Sequence, residues 1–338
     1  MAIRAGLCGY GPMGRTHARL LTQHEGVELV GVADVQEDLR KQVEDELGVK
    51  TWASGEEFIE AGVTDAMFVC APTYLHGPLA IQALEAGQHV FSEKPMSLNA
   101  DQCTAMIETA ERTGKLLTVG QVLRFWPEYV YLKQMVDSGE LGRLLTLSMF
   151  RVGGVSRGWQ NWFLDEERGG TQIFDRHIHD SDMALWLLGK PTAVQTRASE
   201  GEEGGFNHCF TQYHYPDVTV HAEGSADLPD GFPFVMSYLA AFENGALEYS
   251  NRHSPTLSLY RGDGKSESPE LPNPIGSLQT GLNISSASGY FLEQVYFFDC
   301  IRTGRKPDIV SPESARETVA LVRLEIESAR CGKAVPVV

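Results

Sequence analysis

The feature that most constrains this chain is Gly9-Tyr10-Gly11-Pro12-Met13-Gly14, a G-x-G-x-x-G pattern between an apolar run at 3–8 and a helical pattern at 13–23. Six residues with three glycines arise by chance. A strand before them and a helix after them turn the pattern into a dinucleotide fingerprint. Gly9 permits the tight turn, Gly11 lets the backbone approach a pyrophosphate, and Gly14 lets the helix lie close on the sheet. The helix that Pro12 and Met13 open then aims N–H donors at the phosphates. Asp34, at the end of a second apolar run at 28–33, is spaced to accept hydrogen bonds from ribose hydroxyls. Its carboxylate would repel the 2′-phosphate of NADP, and Val35, Gln36 and Glu37 offer no base in compensation. The pattern predicts NAD over NADP.

The rhythm that begins there continues. Helical patterns at 36–47, 77–86 and 99–113 alternate with short apolar runs at 66–70, 89–91 and 116–119, as in a parallel sheet covered on both faces. The fold class expected is α/β: a Rossmann doubly wound sheet over residues 1–123, then an α+β domain over 124–338 for substrate binding and oligomerisation. In the second part a helix at 129–138 leads into a long strand at 144–152. From 192 to 260 apolar and polar residues alternate, the mark of a large, mostly antiparallel open sheet with one covered face. Glu243-Asn244-Gly245 signals a hairpin turn, the Gly-, Pro- and Ser-rich stretch 261–282 signals a loop, and helical patterns at 289–302 and 312–331 close the chain.

A net charge of −17 over 338 residues argues against nucleic acid and anionic membrane as partners. Six cysteines with no CxxC pair fit free thiols in a reducing compartment. The apolar stretch at 5–8 runs straight into glycines, unlike a secretory leader, and no run of residues is long enough to span a bilayer. A cytoplasmic protein is expected.

Three further segments carry chemistry. Cys70-Ala71-Pro72-Thr73-Tyr74-Leu75-His76 follows a strand, and ligands of parallel sheets bind at the carboxyl ends of strands, so Ala71, Pro72, Thr73 and His76 should line the cofactor cleft. Glu93-Lys94-Pro95 also follows a strand. A lysine there is placed to act on a bound substrate, and desolvation can tune it as acid or base; on spacing alone, a lysine beside a glutamate that merely decorates the surface is an equal reading. The third segment, 169–182, holds Asp175, Arg176, His177, His179, Asp180 and Asp182 before an apolar helix. Asp175 and His179 are spaced to share a helical face, and a carboxylate beside an imidazole suits proton abstraction from a hydroxyl. An N-capped helix with polar histidines is one alternative. A metal site of Asp175, His177 and His179 is another, although the spacing fixes no coordination geometry and no metal is expected.

Taken together, these segments resemble the Gfo/Idh/MocA oxidoreductases, sugar and inositol dehydrogenases among them, across essentially the whole chain. The resemblance rests on Gly9–Gly14, Asp34, Pro72…His76, Glu93-Lys94-Pro95, Gly169-Gly170…Asp175-x-x-x-His179 and Gly304-Arg305…Pro307. It implies Lys94, Asp175 and His179 as catalytic residues, with His179 the general base. Glu93, Lys94 and Gln121 join the residues expected to bind NAD. It also implies a homodimer or homotetramer through the C-terminal sheet, and a small polyhydroxylated substrate losing hydride from a secondary hydroxyl. Redox-neutral cleavage of a glycoside by an enzyme with tightly bound NAD is the alternative. Two departures stand out. His177 replaces the usual glycine of Asp-x-Gly-x-His, which makes it a candidate substrate contact, and Gln121 and Arg124 occupy a segment where relatives often place an aromatic and a basic pair. Arg124 and Trp162 are the other substrate candidates, since Trp159 and Trp162 offer flat apolar faces to a sugar.

Overall fold

The computed structural model describes residues 2–201, 205–229, 231–276 and 286–338. Two compact units divide the chain. The first holds residues 2–122 and 290–317, the second the described residues of 123–276, 286–289 and 318–338.

In the first unit six parallel strands, β1 (Ile3–Cys8), β2 (Val27–Ala33), β3 (Lys50–Trp52), β4 (Ala66–Val69), β5 (His89–Ser92) and β6 (Leu117–Val119), lie in the order β3-β2-β1-β4-β5-β6. The order reverses between β1 and β4, the switch point at which doubly wound sheets bind ligands. Helices α1 (Pro12–Leu21), α2 (Glu37–Leu47), α3 (Gly55–Glu60), α4 (His76–Glu85) and α5 (Ala100–Thr113) join the strands. Local chemistry sets their ends: Asn99 caps α5 by accepting from the Gln102 N–H at 2.8 Å, and Gly114 closes it at φ 65°.

The short β3 and α3 have no counterpart in the expected elements. Within them Trp52 stacks on Phe58 at 4.0 Å and fills the space that a Cβ on Gly31 would need. The expected division at 123/124 also places 290–317 differently. Phe297 and Phe298, on the helix Ser288–Thr303, belong to the first unit's core with Leu7, Phe68 and Phe91. Each such ring contributes about 2–3 kcal/mol by burial.

In the second unit α6 (Pro127–Ser138) precedes β7 (Leu144–Gly154), and α7 (Ile178–Leu188) precedes β8 (Ala193–Glu200). The remaining strands are β9 (Phe206–His214), β10 (Thr219–Leu228), β11 (Val235–Phe242), β12 (Gly245–Ser250), β13 (Leu257–Arg261), β14 (Ser266–Glu267) and β15 (Val335–Pro336). They form one sheet in the order β14-β13-β12-β11-β7-β10-β9-β8-β15, antiparallel except for the β7–β10 pair. β9 alternates buried Asn207, Cys209, Thr211 and Tyr213 with more exposed neighbours, so one face is covered. Glu243-Asn244 turns β11 into β12, pairing Phe242 with Gly245. The stretch expected as a loop from 261 instead pairs Leu259 and Tyr260 with β14; its part from 277 to 282 lies outside the described residues. The long helix Pro312–Cys331 is numbered α9, after α8 at Ser288–Thr303. Among the described residues no helix is long and apolar enough to cross a membrane, and all six cysteines are free thiols.

Candidate active site

Along the carboxyl edge of the first sheet the backbone ladder continues past the strands and sets the functional loops side by side. Gly9 N–H donates to Ala33 O (2.7 Å), Cys70 N–H to Cys8 O (2.8 Å), Glu93 N–H to Val69 O (2.9 Å) and Gly120 N–H to Ser92 O (2.8 Å). Gly9, Asp34, Ala71, Glu93, Lys94 and Gln121 therefore share one edge.

The three fingerprint glycines have different reasons for being glycine. Gly9 sits at φ 94°, and a Cβ there would fall 2.6 Å from Cys70 O; a Cβ on Gly14 would fall 1.8 Å from Gly9 O. Packing demands both. A Cβ on Gly11 would meet nothing within 4 Å among the described residues, so their packing does not require that glycine. Gly11 is also the N-cap of α1 and makes no side-chain capping bond, which leaves first-turn N–H groups to a ligand. Gln121 is buried, yet neither its amide oxygen nor its nitrogen has a partner among the described residues. An open glycine at a helix N-terminus and an unused buried amide fit a bound dinucleotide. Asp34 stands beside the loop: its Oδ2 accepts from Tyr10 N–H (2.7 Å) and its Oδ1 from Gln36 N–H (2.8 Å). The carboxylate thus braces the loop it was expected to serve. Arg40, absent from the expected site, donates to the carbonyls of Asp34 (2.8 Å) and Val35 (3.1 Å).

Two expected cofactor contacts turn inward instead. Buried His76 sets one ring nitrogen 2.7 Å from Pro95 O and the other 2.8 Å from Ala71 O; a neutral ring donates to one of the two carbonyls, and the side chain sits between the loop after β4 and the Glu93-Lys94-Pro95 turn. Burial pushes the His76 imidazole below its ordinary range, against the pull of those carbonyls. Glu93 is also buried. His17 Nε2 lies 2.7 Å from Glu93 Oε1, and Glu93 Oε2 accepts from Lys94 N–H at 3.0 Å. Burial raises the Glu93 carboxyl, but His17 and Lys94 outweigh it and hold the group below its usual range. Gln294 donates to His17 Nδ1 at 2.8 Å, so Nε2 carries the hydrogen given to Glu93 and offers no lone pair to an ion. Glu293 completes this cluster, its ligand atoms within 4.8 Å of the others. Burial, then the Glu93 charge, push the Glu293 carboxyl well up, in the direction of its neutral form. His17, Glu293 and Gln294 were invisible as a group in the sequence, because residues 17 and 293 give no sign of meeting. Half-buried Lys94 lies two residues past the end of β5, and Thr73 is buried beside half-buried Ala71 and Pro72.

In the second unit the segment rich in acids and histidines is not a plain helix. Ile173–His177 forms one π-helical turn, with Ile178 N–H bonded to Ile173 O, and runs into α7. Such turns recur at functional sites. Asp175 and His179 are half-buried, and Arg176 Nε lies 4.0 Å from Asp175 Oδ2. The other candidates are placed otherwise than expected. Arg124 is buried and bonds Asp182 through Nε (3.0 Å) and Nη2 (2.7 Å), its planar fork matched to a carboxylate. His177 is fully buried, with Nε2 2.9 Å from Thr211 Oγ1 and 3.4 Å from Glu325 Oε2. Its ring is turned into the core and joins neither a substrate surface nor a ligand set with Asp175 and His179. Trp162 stacks on Phe163 at 3.7 Å, and Trp159 is 39% exposed.

Comparison with known proteins accords with this arrangement. Residues 3–121 match the model of an oxidoreductase family with an NAD-binding Rossmann fold, and residues 129–248 match the GFO/IDH/MocA C-terminal domain. The chain is 28% identical to the scyllo-inositol 2-dehydrogenase (NAD(+)) of Bacillus subtilis over 318 residues, 90% of this chain and 88% of that protein. It is 30% identical to inositol 2-dehydrogenase 3 of Saccharopolyspora erythraea over 272 residues, 71% of this chain and 78% of that one. A levoglucosan dehydrogenase solved with NADH and levoglucosan shares the fold, with a TM-score of 0.86 at 19% identity over 100% of both chains. With its two halves matched in order, the chain belongs to the Gfo/Idh/MocA family of oxidoreductases.

Proposed function

We propose that the protein oxidises one secondary hydroxyl of a small polyhydroxylated molecule, an inositol-like polyol or a sugar, with NAD as its cofactor. The observation that carries this reading is one chain holding a glycine loop left open at Gly11, Lys94 two residues past the end of β5, and Asp175 and His179 around a π-turn. Relatives named as inositol 2-dehydrogenases suggest the substrate class.

When bound, NAD supplies the hydride acceptor. Around it the chain's own residues divide the work. The N–H groups that open α1 hold the pyrophosphate, Asp34 takes the ribose hydroxyls, and Gln121 offers a donor and an acceptor from its amide. His179 removes the hydroxyl proton, a role suited to imidazole near neutral pH. Asp175 orients His179 or accepts a hydrogen bond from a neighbouring substrate hydroxyl. Lys94 donates to the oxygen being oxidised, stabilising its negative charge as the proton leaves. The Asp34 carboxylate disfavours a 2′-phosphate, which supports NAD over NADP. A homodimer or homotetramer through the second unit's sheet is supported by outward Phe210 and Leu239, 50% and 49% exposed, on strands that otherwise alternate.

The test is NADH absorbance while purified protein with NAD meets a panel of inositols, sugars and glycosides. A rise with one class supports the proposal. Silence, despite NAD that binds tightly, overturns it in favour of redox-neutral glycoside cleavage. Sedimentation of the same sample reports the oligomeric state.

A further inference from the structure

The residue that departs from the family pattern, His177, has a built environment of its own. Its ring packs on the backbone of β10, where a Cβ on Gly224 would fall 2.9 Å from His177 Cβ and Nδ1. The side chain at 177 thus occupies room that 224 leaves empty. Thr211 Oγ1, 2.9 Å from His177 Nε2, lies 2.9 Å from Thr196 Oγ1, so two strands hold the ring from the sheet side. From α9, Glu325 Oε2 lies 3.4 Å from the ring and accepts from Ser181 Oγ at 3.1 Å. Tyr213 donates to Ser181 Oγ at 3.1 Å, and Ser181 Oγ also lies 3.2 Å from the His177 carbonyl. Every member of this group is buried.

The adjoining residue clamps the other side of the same turn. Arg176 donates to Ser225 O (3.0 Å), Gly154 O (2.7 Å) and Ser156 Oγ (3.1 Å). A π-turn persists only where its surroundings over-determine it. Here the two residues between Asp175 and Ile178 are both fixed, so the backbone that carries Asp175 and His179 is fixed with them.

We propose that His177 and Glu325 form a buried pair of positioning residues that holds the Asp175–His179 turn in its reactive geometry. The pair works as neutral hydrogen-bonding groups, because an ion pair at this depth would bear a large desolvation cost. Burial lowers the His177 imidazole to about 3 and raises the Glu325 carboxyl to about 8, in agreement with that state. The groups facing the pair are Asp180 and Ser181 on α7, Cys209, Thr211 and Tyr213 on β9, and Arg151 on β7. Neither residue touches substrate, and both act through the turn.

The inference rests on His179 as the base, so the test carries a readout that does not need turnover. H177G, E325A, E325Q and the H177G/E325A double variant are compared for kcat and KM, for NAD affinity, and for the NMR signal of the His179 imidazole, identified by its loss in H179A. A misplacement of the turn should lower kcat by about 10–100-fold in H177G and E325A, with KM and NAD affinity within about twofold. The double variant should be no worse than either single one, because both act through one contact. E325Q, neutral and of the same shape, should keep kcat within about threefold. The His179 signal should move or broaden in H177G and E325A and stay in place in E325Q. If H177G does not fold, T211V carries the test: it loses one hydrogen bond to the ring, and kcat should drop about fivefold. Unchanged kcat and an unmoved His179 signal in these variants would overturn the proposal, as would a loss confined to KM. Should no substrate class yield NADH, the reading of function fails, while the His179 signal still decides whether the pair positions the turn.

Discussion

Replacing Gly11 by alanine separates what the ligand demands from what the fold demands. Gly11 lies at φ −65° and ψ −171°, extended backbone that any residue adopts, and its added Cβ meets no atom of the described residues within 4 Å. For the protein alone the change is therefore neutral or favourable, by about 0.4–1 kcal/mol, because alanine restricts the unfolded chain. The same methyl stands where a pyrophosphate approaches the first turn of α1. Pushing the phosphates back weakens a charge-assisted hydrogen bond worth about 1.5–3 kcal/mol, so NAD affinity should fall by about 10–150-fold. Gly14→Ala behaves differently. Its Cβ would sit 1.8 Å from Gly9 O, and Gly9 is itself bonded to Ala33 O at 2.7 Å, so backbone has to move. That overpacking should cost about 1–3 kcal/mol and take NAD binding with it. Urea unfolding and calorimetric titration with NAD, run on wild type, G11A and G14A, give both numbers. If G11A binds NAD like wild type, or loses as much stability as G14A, the assignment of the loop is wrong.

Other perturbations read other parts of the site. Asp34→Asn should weaken NAD and narrow its advantage over NADP in paired titrations; an unchanged preference would remove that carboxylate from the ribose site. His179→Ala should lower kcat by about 10²–10⁴-fold with NAD affinity intact, and near-normal turnover would move the base elsewhere. Gln121→Leu should stabilise the ligand-free protein in urea, since it deletes a buried amide whose two polar atoms have no partner among the described residues, while loosening NAD; an intact affinity would make that amide mere packing. The Glu325 carboxyl is raised to about 8 and the His177 imidazole lowered to about 3. The acid's contribution is full below its unfolded value of 4.5 and is lost as pH rises toward 8, whereas the imidazole's is lost as pH falls from 6.5 toward 3. Above pH 6.5 the acid's slope stands alone, so wild type should lose about 1.4 kcal/mol per pH unit more than E325Q up to pH 8. Parallel curves for the two in urea would refute the assignment.

The parallel domain was legible because strands buried on both faces read as apolar runs and their helices carry end signals such as Asn99 and Gly114. β3 was not: three residues at a sheet edge leave no period to detect, and Trp52 owes its place to Gly31 and Phe58. The helix pattern at 289–302 could be read, but nothing local says that Phe297 and Phe298 return to Phe68 and Phe91. In the site, sequence supplies chemistry without direction. Arg124 is a base near a predicted substrate, yet its fork is spent on Asp182, 58 residues on. His76 and Glu93 stand in the loops where a cofactor belongs, yet they hold those loops together. The π-turn at Ile173–His177 also escapes pattern reading, since one wider turn inside a helix leaves the apolar spacing of α7 untouched.

Direction can be recovered from how completely the protein itself uses each group. A buried polar side chain whose partners are all supplied within the chain has a sufficient reason to be there, and a role in chemistry is then surplus; Arg124, His76 and Glu93 are of this kind. Gly9 and Gly14 likewise need no ligand to explain them. Gly11 and Gln121 are the opposite case: the described residues leave one open and the other unpaired, and an unpaired buried amide costs about 1–3 kcal/mol. A folded chain that bears such a cost at the carboxyl edge of its sheet, beside an uncapped helix N-terminus, is a chain whose binding energy is completed by something else. Glu293 also has no partner among the described residues, but burial and the Glu93 charge push it toward its uncharged form, which removes the charge part of the cost. What separates the two is that a carboxyl can shed the cost of a buried charge by taking a proton, whereas an amide has no such outlet, so of the two it is Gln121, at the carboxyl edge of the sheet, whose cost a ligand would relieve.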